Sequence, residues 1–309
     1  MNSVYVQAEA GVDNVTIGGS QSFGVSLGAD NDSLTVTGLL GGVGGGQLID
    51  MGDGSDTVSL QDVDAVVTIS LGEGANSLTM KDFGPSYGGN SQSILAGTGN
   101  DTIKAGAFND MYLADLGGDN IITLGNQTAY YAGAWLETGA GNDSMTVGDF
   151  GAIRFILGDG ANQLNAGNGY AEVFAGSGSD TINLGDGPHV ITTGAGNDSV
   201  STGSGASSID TGLGNDTISA GAGNDTLFGG ADADVLTGGS GADVFIYDIL
   251  AGGLDRITDY EVGVDVIQIG GFDPALWGTD GLGNGTYTPS VGNVLTVVGI
   301  IDATQITWA

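Results

Sequence analysis

The chain has 309 residues and a formal net charge of −33, with 32 Asp, 5 Glu, 4 Lys and Arg together, one His and no Cys. That balance excludes a nucleic-acid binder, which needs a basic footprint to release counterions, and it excludes disulfide scaffolds and thiolate metal sites. No apolar run approaches the roughly 18 residues of a membrane span, the 61 Gly lack the three-residue period of collagen, and 40% hydrophobic residues at regular spacing argue against disorder.

The excess of Asp over Glu places the carboxylates close to the backbone, as in turns and compact oxygen cages. Read from the N-terminus, an apolar residue with Asp or Asn two positions before it recurs twelve times. The apolar residues are Val15, Leu34, Val58, Leu78, Ile103, Ile122, Met145, Leu164, Ile182, Val200, Ile218 and Leu236. Their partners are Asp13, Asp32, Asp56, Asn76, Asp101, Asn120, Asp143, Asn162, Asp180, Asp198, Asp216 and Asp234. The steps vary between 19 and 25 residues up to Leu164 and are 18 thereafter. Strands are predicted at Thr57–Leu60, Val66–Leu71, Ser77–Met80, Gln92–Ala96, Met111–Ala114, Ile121–Leu124, Ile153–Leu157 and Thr181–Leu184. Between them, 81–91 and 125–134 read as loops of variable length on one edge.

From Gly176 the pattern tightens to nine residues, led by Gly176, Gly185, Gly194, Gly203, Gly212, Gly221, Gly230 and Gly239. A second Gly follows two positions later in all repeats but one, where Asp232 stands. Four positions after the leading Gly come Asp180, Asp198, Asp216, Asp225, Asp234 and Asp243, with His189 and Ser207 in the other two repeats. Six positions after it an apolar residue is always present, from Ile182 to Phe245. Glycines permit the positive φ of a tight turn whose carbonyls crowd one point. The short Asp brings a carboxylate to that point, and the residues after it form a brief strand with one side chain inward. A single repeat cannot bury its apolar residue, so the unit makes sense only when stacked.

The segments Gly212-Leu213-Gly214-Asn215-Asp216-Thr217-Ile218 and Gly221-Ala222-Gly223-Asn224-Asp225-Thr226-Leu227 resemble the nonapeptide of the RTX (repeats-in-toxin) calcium-binding family. The resemblance implies an all-β fold, a parallel β-roll or β-helix solenoid with two nonapeptides per coil and Ca²⁺ held between turns of successive coils. On that reading the twelve apolar positions mark about twelve coils. Residues 1–175 form an irregular solenoid with long loops on one edge, 176–247 the regular roll, and 248–309 a β-rich cap. The candidate ligands of multiple Ca²⁺ ions are Asp32, Asp56, Asp101, Asp143, Asp180, Asp198, Asp216, Asp225, Asp234 and Asp243, with turn residues Gly194, Gly196, Gly212, Gly214, Gly221 and Gly223. Carboxylates stacked ~4.8 Å apart repel by about 0.9 kcal/mol even in water, and Ca²⁺, which takes oxygen ligands, reverses that sign. Ion binding and folding then form one equilibrium.

In the last block, Leu254-Asp255-Arg256-Ile257-Thr258-Asp259-Tyr260, continuing through Gly263-Val264-Asp265-Val266-Ile267, resembles the segment that follows RTX repeats, with Tyr260 where Phe is commoner. Phe272, Trp277, Leu295 and Trp308 are expected to cover the last coil. Residues 1–10 lack the charged start and apolar stretch of a signal peptide. The resemblance implies export by a type I secretion machinery through an uncleaved C-terminal signal, and residence outside the cell or on its surface.

No catalytic constellation stands out. One His cannot build H-E-x-x-H. Gly24-Val25-Ser26-Leu27-Gly28 satisfies G-x-S-x-G in a strand–turn rather than a strand–elbow–helix context, and His189 fills a repeat-turn position. The aromatic set Phe83, Tyr87, Phe108, Tyr112, Tyr130, Tyr131, Trp135, Phe150, Phe155, Tyr170 and Phe174 reads as a locally wider core or as a lateral face for a second subunit or a cell-surface glycan. The expected function is therefore a secreted Ca²⁺-binding structural or adhesive protein of a surface layer or matrix. The rival readings are an accessory module of a secreted polysaccharide lyase or epimerase and an ice-binding adhesin region. The last needs a Thr or Asn ladder after the leading Gly, where only Thr98 fits among Ala29, Asp53, Glu73, Thr98, Ala140, Asp159, Ala195 and Leu213.

Overall fold

The computed structural model describes residues 3–18, 22–37, 47–61, 66–82, 91–128, 133–250, 253–270, 272–290, 292–300 and 302–308. The chain is all-β, and the helical residues among those described are two 3₁₀ turns, Pro274–Leu276 and Ala303–Gln305. It divides into two compact units, Met1–Asp159 with Gln163–Asn168, and Gly160–Asn162 with Gly169–Ala309. Each is a parallel β-solenoid, and together they wind about twelve turns, as the repeat count predicts.

In the first unit successive strands alternate between two parallel sheets. One contains Ser33–Thr37, Thr57–Gln61, Ser77–Met80, Thr102–Ala105, Ile121–Leu124, Ser144–Val147 and Gln163–Ala166. Its register aligns Leu34, Val58, Leu78, Ile103, Ile122, Met145 and Leu164 in a single row. This is the row read from the sequence, and these seven members are at most 1% exposed, while its first member, Val15, pairs with Leu34 but is only half-buried. A second inward row, including Val36, Leu60, Met80, Leu124 and Val147, lies two residues on, because strands of four or five residues turn two side chains inward. The other sheet contains Gln47–Asp50, Val67–Ser70, Ser91–Leu95, Asp110–Ala114, Gly133–Glu137 and Ala152–Ile156. The predicted strands thus form within a residue of their expected bounds. Of the expected loops, 83–90 and 129–132 lie outside the described residues, and 133–134 already belong to the strand Gly133–Glu137.

In the second unit the nine-residue repeat shortens the strands. Ser199–Ser201, Ser208–Asp210, Thr217–Ser219, Thr226–Phe228 and Val235–Thr237 are three residues long, with only the central one buried. Two apolar rows result, one through Ile182, Val200, Ile218, Leu236 and Ile257, the other through Ile191, Ile209, Leu227, Phe245 and Ile267. One side chain per strand makes this the thinner core, and it is flanked by the densest run of acids.

The glycine turns are set by stacking as well as by φ. Gly196 (φ 148°) and Gly214 (φ 121°) sit one coil apart, and a Cβ on Gly214 would lie 1.7 Å from the Gly196 carbonyl oxygen. No L-residue fits there, so turn carbonyl meets turn Cα along the stack. Asp30 and Asp232 take positive φ (88° and 77°) where other turns have Gly, a conformation Asp tolerates better than most residues.

Winding continues past Tyr247. Leu254–Ile257 pairs in parallel with Val235–Thr237, and Val266–Ile269 with Val244–Tyr247. Asn293–Val297 then adds to Leu254–Ile257 and turns the sheet antiparallel through Gly285–Ser290 and Trp277–Thr279. Tyr287, Leu295, Val297 and Ile300 fill this end, with Tyr287 against Phe272 (5.1 Å between ring centroids) and Tyr247 (6.5 Å). Of the four residues expected to cover the last coil, Leu295 is buried, Phe272 and Trp277 are half-buried, and the Trp308 side chain lies outside the described residues.

Candidate metal centre

The ten acids singled out from the sequence all occupy one kind of position, the residue that leaves the glycine turn and enters the strand. All are between 0 and 2% exposed. In the first unit each amide N–H at this position donates to the side-chain oxygen of the next coil: Asp13 to Asp32, Asp32 to Asp56, Asp56 to Asn76, Asn76 to Asp101, Asp101 to Asn120 and Asn120 to Asp143, over 2.7–2.9 Å. In the second unit the ladder runs from Asn162 through Asp180, Asp198, Asp216 and Asp234 to Asp255, over 2.7–3.0 Å. A second ladder on the other edge runs from Ser207 through Asp225 and Asp243 to Asp265, over 2.7–3.0 Å. The ladder bond explains the predominance of Asp, since a longer Glu would overshoot a donor one coil away.

This bond uses Oδ1 alone. The Oδ2 atoms of Asp32, Asp56, Asp101, Asp198, Asp216, Asp225, Asp234 and Asp243 are buried and have no hydrogen-bond partner. A buried charged oxygen without a donor is costly, and stacking repeats the cost in every coil. Burial pushes Asp56, Asp101, Asp216 and Asp225 up to about 6 and Asp234 to about 7, from an ordinary 3.8. Neighbouring carboxylates add to the rise, Asp32 for Asp56, Asp243 for Asp225, and Asp255 and Asp216 for Asp234.

The Asn rungs show what such a site lacks. Asn76 donates from Nδ2 to the carbonyls of Gly72 and Gly74 at 3.2 and 3.1 Å, Asn120 to Gly118 at 2.9 Å and Asn162 to Gly160 at 3.2 Å. On the other edge, the two departures from the acid pattern also meet turn carbonyls. His189 places Nε2 3.1 Å from the Gly185 oxygen, and Ser207 donates to Gly205 at 3.3 Å. In these five turns a polar N or O–H group of the chain itself meets the carbonyls. In the Asp turns a carboxylate oxygen replaces that donor, and the Oδ2 atoms named above meet no donor. A set of carboxylate and carbonyl oxygens with no proton between them suits a hard cation that takes 6–8 oxygens. Among the described residues no three acidic or imidazole side chains group closely enough to hold an ion by themselves, so turn carbonyls must contribute. The candidate glycines Gly194, Gly196, Gly212, Gly214, Gly221 and Gly223 all take the positive φ of these turns.

A family model for the RTX calcium-binding nonapeptide repeat matches the chain in four copies, at residues 87–121, 156–188, 174–209 and 210–245. The chain carries RTX-type calcium-binding nonapeptide repeats. A search of curated proteins found no match. RTX repeats on a β-solenoid make Ca²⁺ the cation to which the oxygen set belongs, and they indicate a Ca²⁺-binding structural protein. Bound Ca²⁺ would supply positive charge to the Oδ2 atoms and turn carbonyls, and the Asp side chains would hold it while Oδ1 keeps the coils in register.

Two ladder residues of this RTX chain escaped the repeat count. Asp255 and Asp265 end the ladders although the nine-residue period stops before them. Their signal was present, because each stands two positions before an inward Ile, Ile257 or Ile267. The aromatic set divides. Phe108, Phe150 and Phe155 are buried, the last two edge to face at 6.0 Å, while Tyr112 and Trp135 point outward, 43 and 37% exposed. Tyr170, in the second unit, is exposed. Phe83, Tyr87, Tyr130 and Tyr131 lie outside the described residues. Ser26 of the G-x-S-x-G match ends the strand Ser22–Ser26 and enters a turn, as expected. Among the described residues no helix is long and apolar enough to cross a membrane.

Proposed function

We propose that the protein is a secreted structural or adhesive component, of a surface layer or matrix, that folds when it meets extracellular Ca²⁺. The reading is carried by the buried Oδ2 atoms without partners, repeated coil after coil. A chain in which folding needs many cations stays loose where Ca²⁺ is scarce and becomes rigid where it is abundant. That behaviour suits passage through a type I secretion machinery followed by folding outside. Acidic surfaces left over from the ladders, in a chain of net charge −33, would be bridged by further Ca²⁺ in an assembly.

The adhesive variant of this reading has its own support. Tyr112, Trp135 and Arg154 are consecutive in register on the outer face of one sheet. The Arg154 guanidinium lies 4.8 Å from the Trp135 ring centroid, and Trp135 Nε1 donates to Glu137 Oε2 at 3.3 Å. Exposed rings beside hydrogen-bonding groups suit sugar faces and hydroxyls. Electron microscopy of the purified chain with and without Ca²⁺ tests assembly: ordered sheets or fibres are expected only with Ca²⁺. Single particles under both conditions would refute the surface-layer and matrix role.

A further inference from the structure

Asp115 is an acid for which the repeat pattern has no place. It stands five residues before the ladder residue Asn120, where the strand Asp110–Ala114 enters the turn. The same position in neighbouring coils holds Leu27, Met51, Leu71, Ala96, Thr138 and Leu157, all buried. The backbone confirms the equivalence. Asp115 N–H donates to the Glu137 carbonyl just as Ala96 N–H donates to Ala114 and Thr138 N–H to Ile156. A carboxylate therefore sits in a column of apolar and Thr side chains, 1% exposed.

Its two oxygens differ. Oδ1 accepts the Gly117 N–H at 3.0 Å, and Oδ2 is buried with no hydrogen-bond partner. The carboxyl lies beside that of Asp101 in the preceding coil, and the Asp143 charge reaches it from the following one. Asp101 Oδ2 also lacks a partner. The two buried carboxyls thus lie together, with the Asn120 side chain beside Asp115 and the Asn76 side chain beside Asp101, while neither Oδ2 has a hydrogen-bond partner. Thr138, at the same corner one coil on, avoids the problem by donating its hydroxyl to the Leu157 carbonyl at 2.8 Å. The ladder residue of this coil is Asn120, whose amide already engages Asp101 N–H and the Gly118 carbonyl. The coil that lacks a ladder carboxylate carries one five residues upstream.

We propose that Asp115, an acid the ladder pattern does not supply, shares a divalent cation with the ladder residue Asp101, with Ca²⁺ favoured by its all-oxygen ligands. Two carboxylates match the ion's charge, and turn carbonyls and water complete its shell. This rests on the reading that the ladders bind Ca²⁺, and the test separates the two. Bound Ca²⁺ per full-length chain is counted by equilibrium dialysis at saturation for the unaltered protein and for Asp115→Leu and Asp115→Thr. Both replacements are residues the fold already uses at this corner, and circular dichroism in Ca²⁺ checks that each folds. The expected result is one ion fewer per chain in either variant. An unchanged count in a folded variant overturns the proposal and means that the carboxyl pair shares a proton instead. An unaltered chain that binds no Ca²⁺ overturns the ladder reading and this site with it.

Discussion

Without metal, the protein is expected to be more stable at pH 5.0 than at pH 7.5, the reverse of its behaviour in Ca²⁺. Burial holds the ladder carboxyls of Asp56, Asp101, Asp216, Asp225, Asp234 and Asp255 at about 6 to 7 in the folded chain, against 3.8 for the free side chain. Between those limits the folded chain holds more protons than the unfolded one, so stability falls as pH rises. The contribution is fully present below about 4 and is lost as pH climbs through 6 and 7. From pH 5.0 to 7.5 each carboxyl near 6 costs on the order of 1 kcal/mol, and several act together in each unit. Ca²⁺ competes with the same protons, so its stabilisation weakens on acidification. Far-UV circular dichroism of the metal-free chain at the two pH values checks the sign, with more β-structure expected at pH 5.0. Equal or greater order at pH 7.5 would contradict it.

The second large effect is expected from a single rung. Asp216→Asn should behave like the native turns at Asn76, Asn120 and Asn162. Its Oδ1 still accepts the Asp198 N–H, a bond of 2.7 Å in the native chain, while its Nδ2 can donate to turn carbonyls. In chelator the variant should therefore hold more ordered structure than the unaltered chain, and it should gain less from Ca²⁺. Asp216→Ala removes the same carboxylate but leaves the Asp198 N–H without its acceptor, a cost of roughly 1–3 kcal/mol. It should melt lower than Asp216→Asn in Ca²⁺. Equal melting of the two variants would show that the ladder bond is unimportant and that charge alone decides.

Much of this was legible in the sequence because a solenoid writes its third dimension into its period. The residues from Leu34 to Leu164 align in one buried row despite spacings of 19 to 25, since the inserted residues leave the strand and its entering Asp or Asn intact. The role of the Asn rungs was not legible. Spacing treats Asn76 and Asp101 alike, and only the Nδ2 contacts to Gly72 and Gly74 separate them. Asp115 was hidden for a different reason. Its column is defined by burial five residues before the ladder, and it mixes Leu, Met, Ala and Thr too freely to show as a motif. The aromatic set was ambiguous because a strand alternates its faces: Phe155 points in and Arg154, its neighbour, meets the outward Trp135.

The central claim is that cations turn columns of mutually repelling buried carboxylates into a rigid fold. Far-UV circular dichroism of the full-length chain at pH 7.5, titrated from excess EGTA to free Ca²⁺, tests it most directly. Little ordered structure in chelator and a cooperative gain of β-structure near about 1 mM Ca²⁺, the range of weak extracellular sites, is the predicted result. A spectrum that already shows the full β-content in EGTA and does not change on adding Ca²⁺ would contradict it.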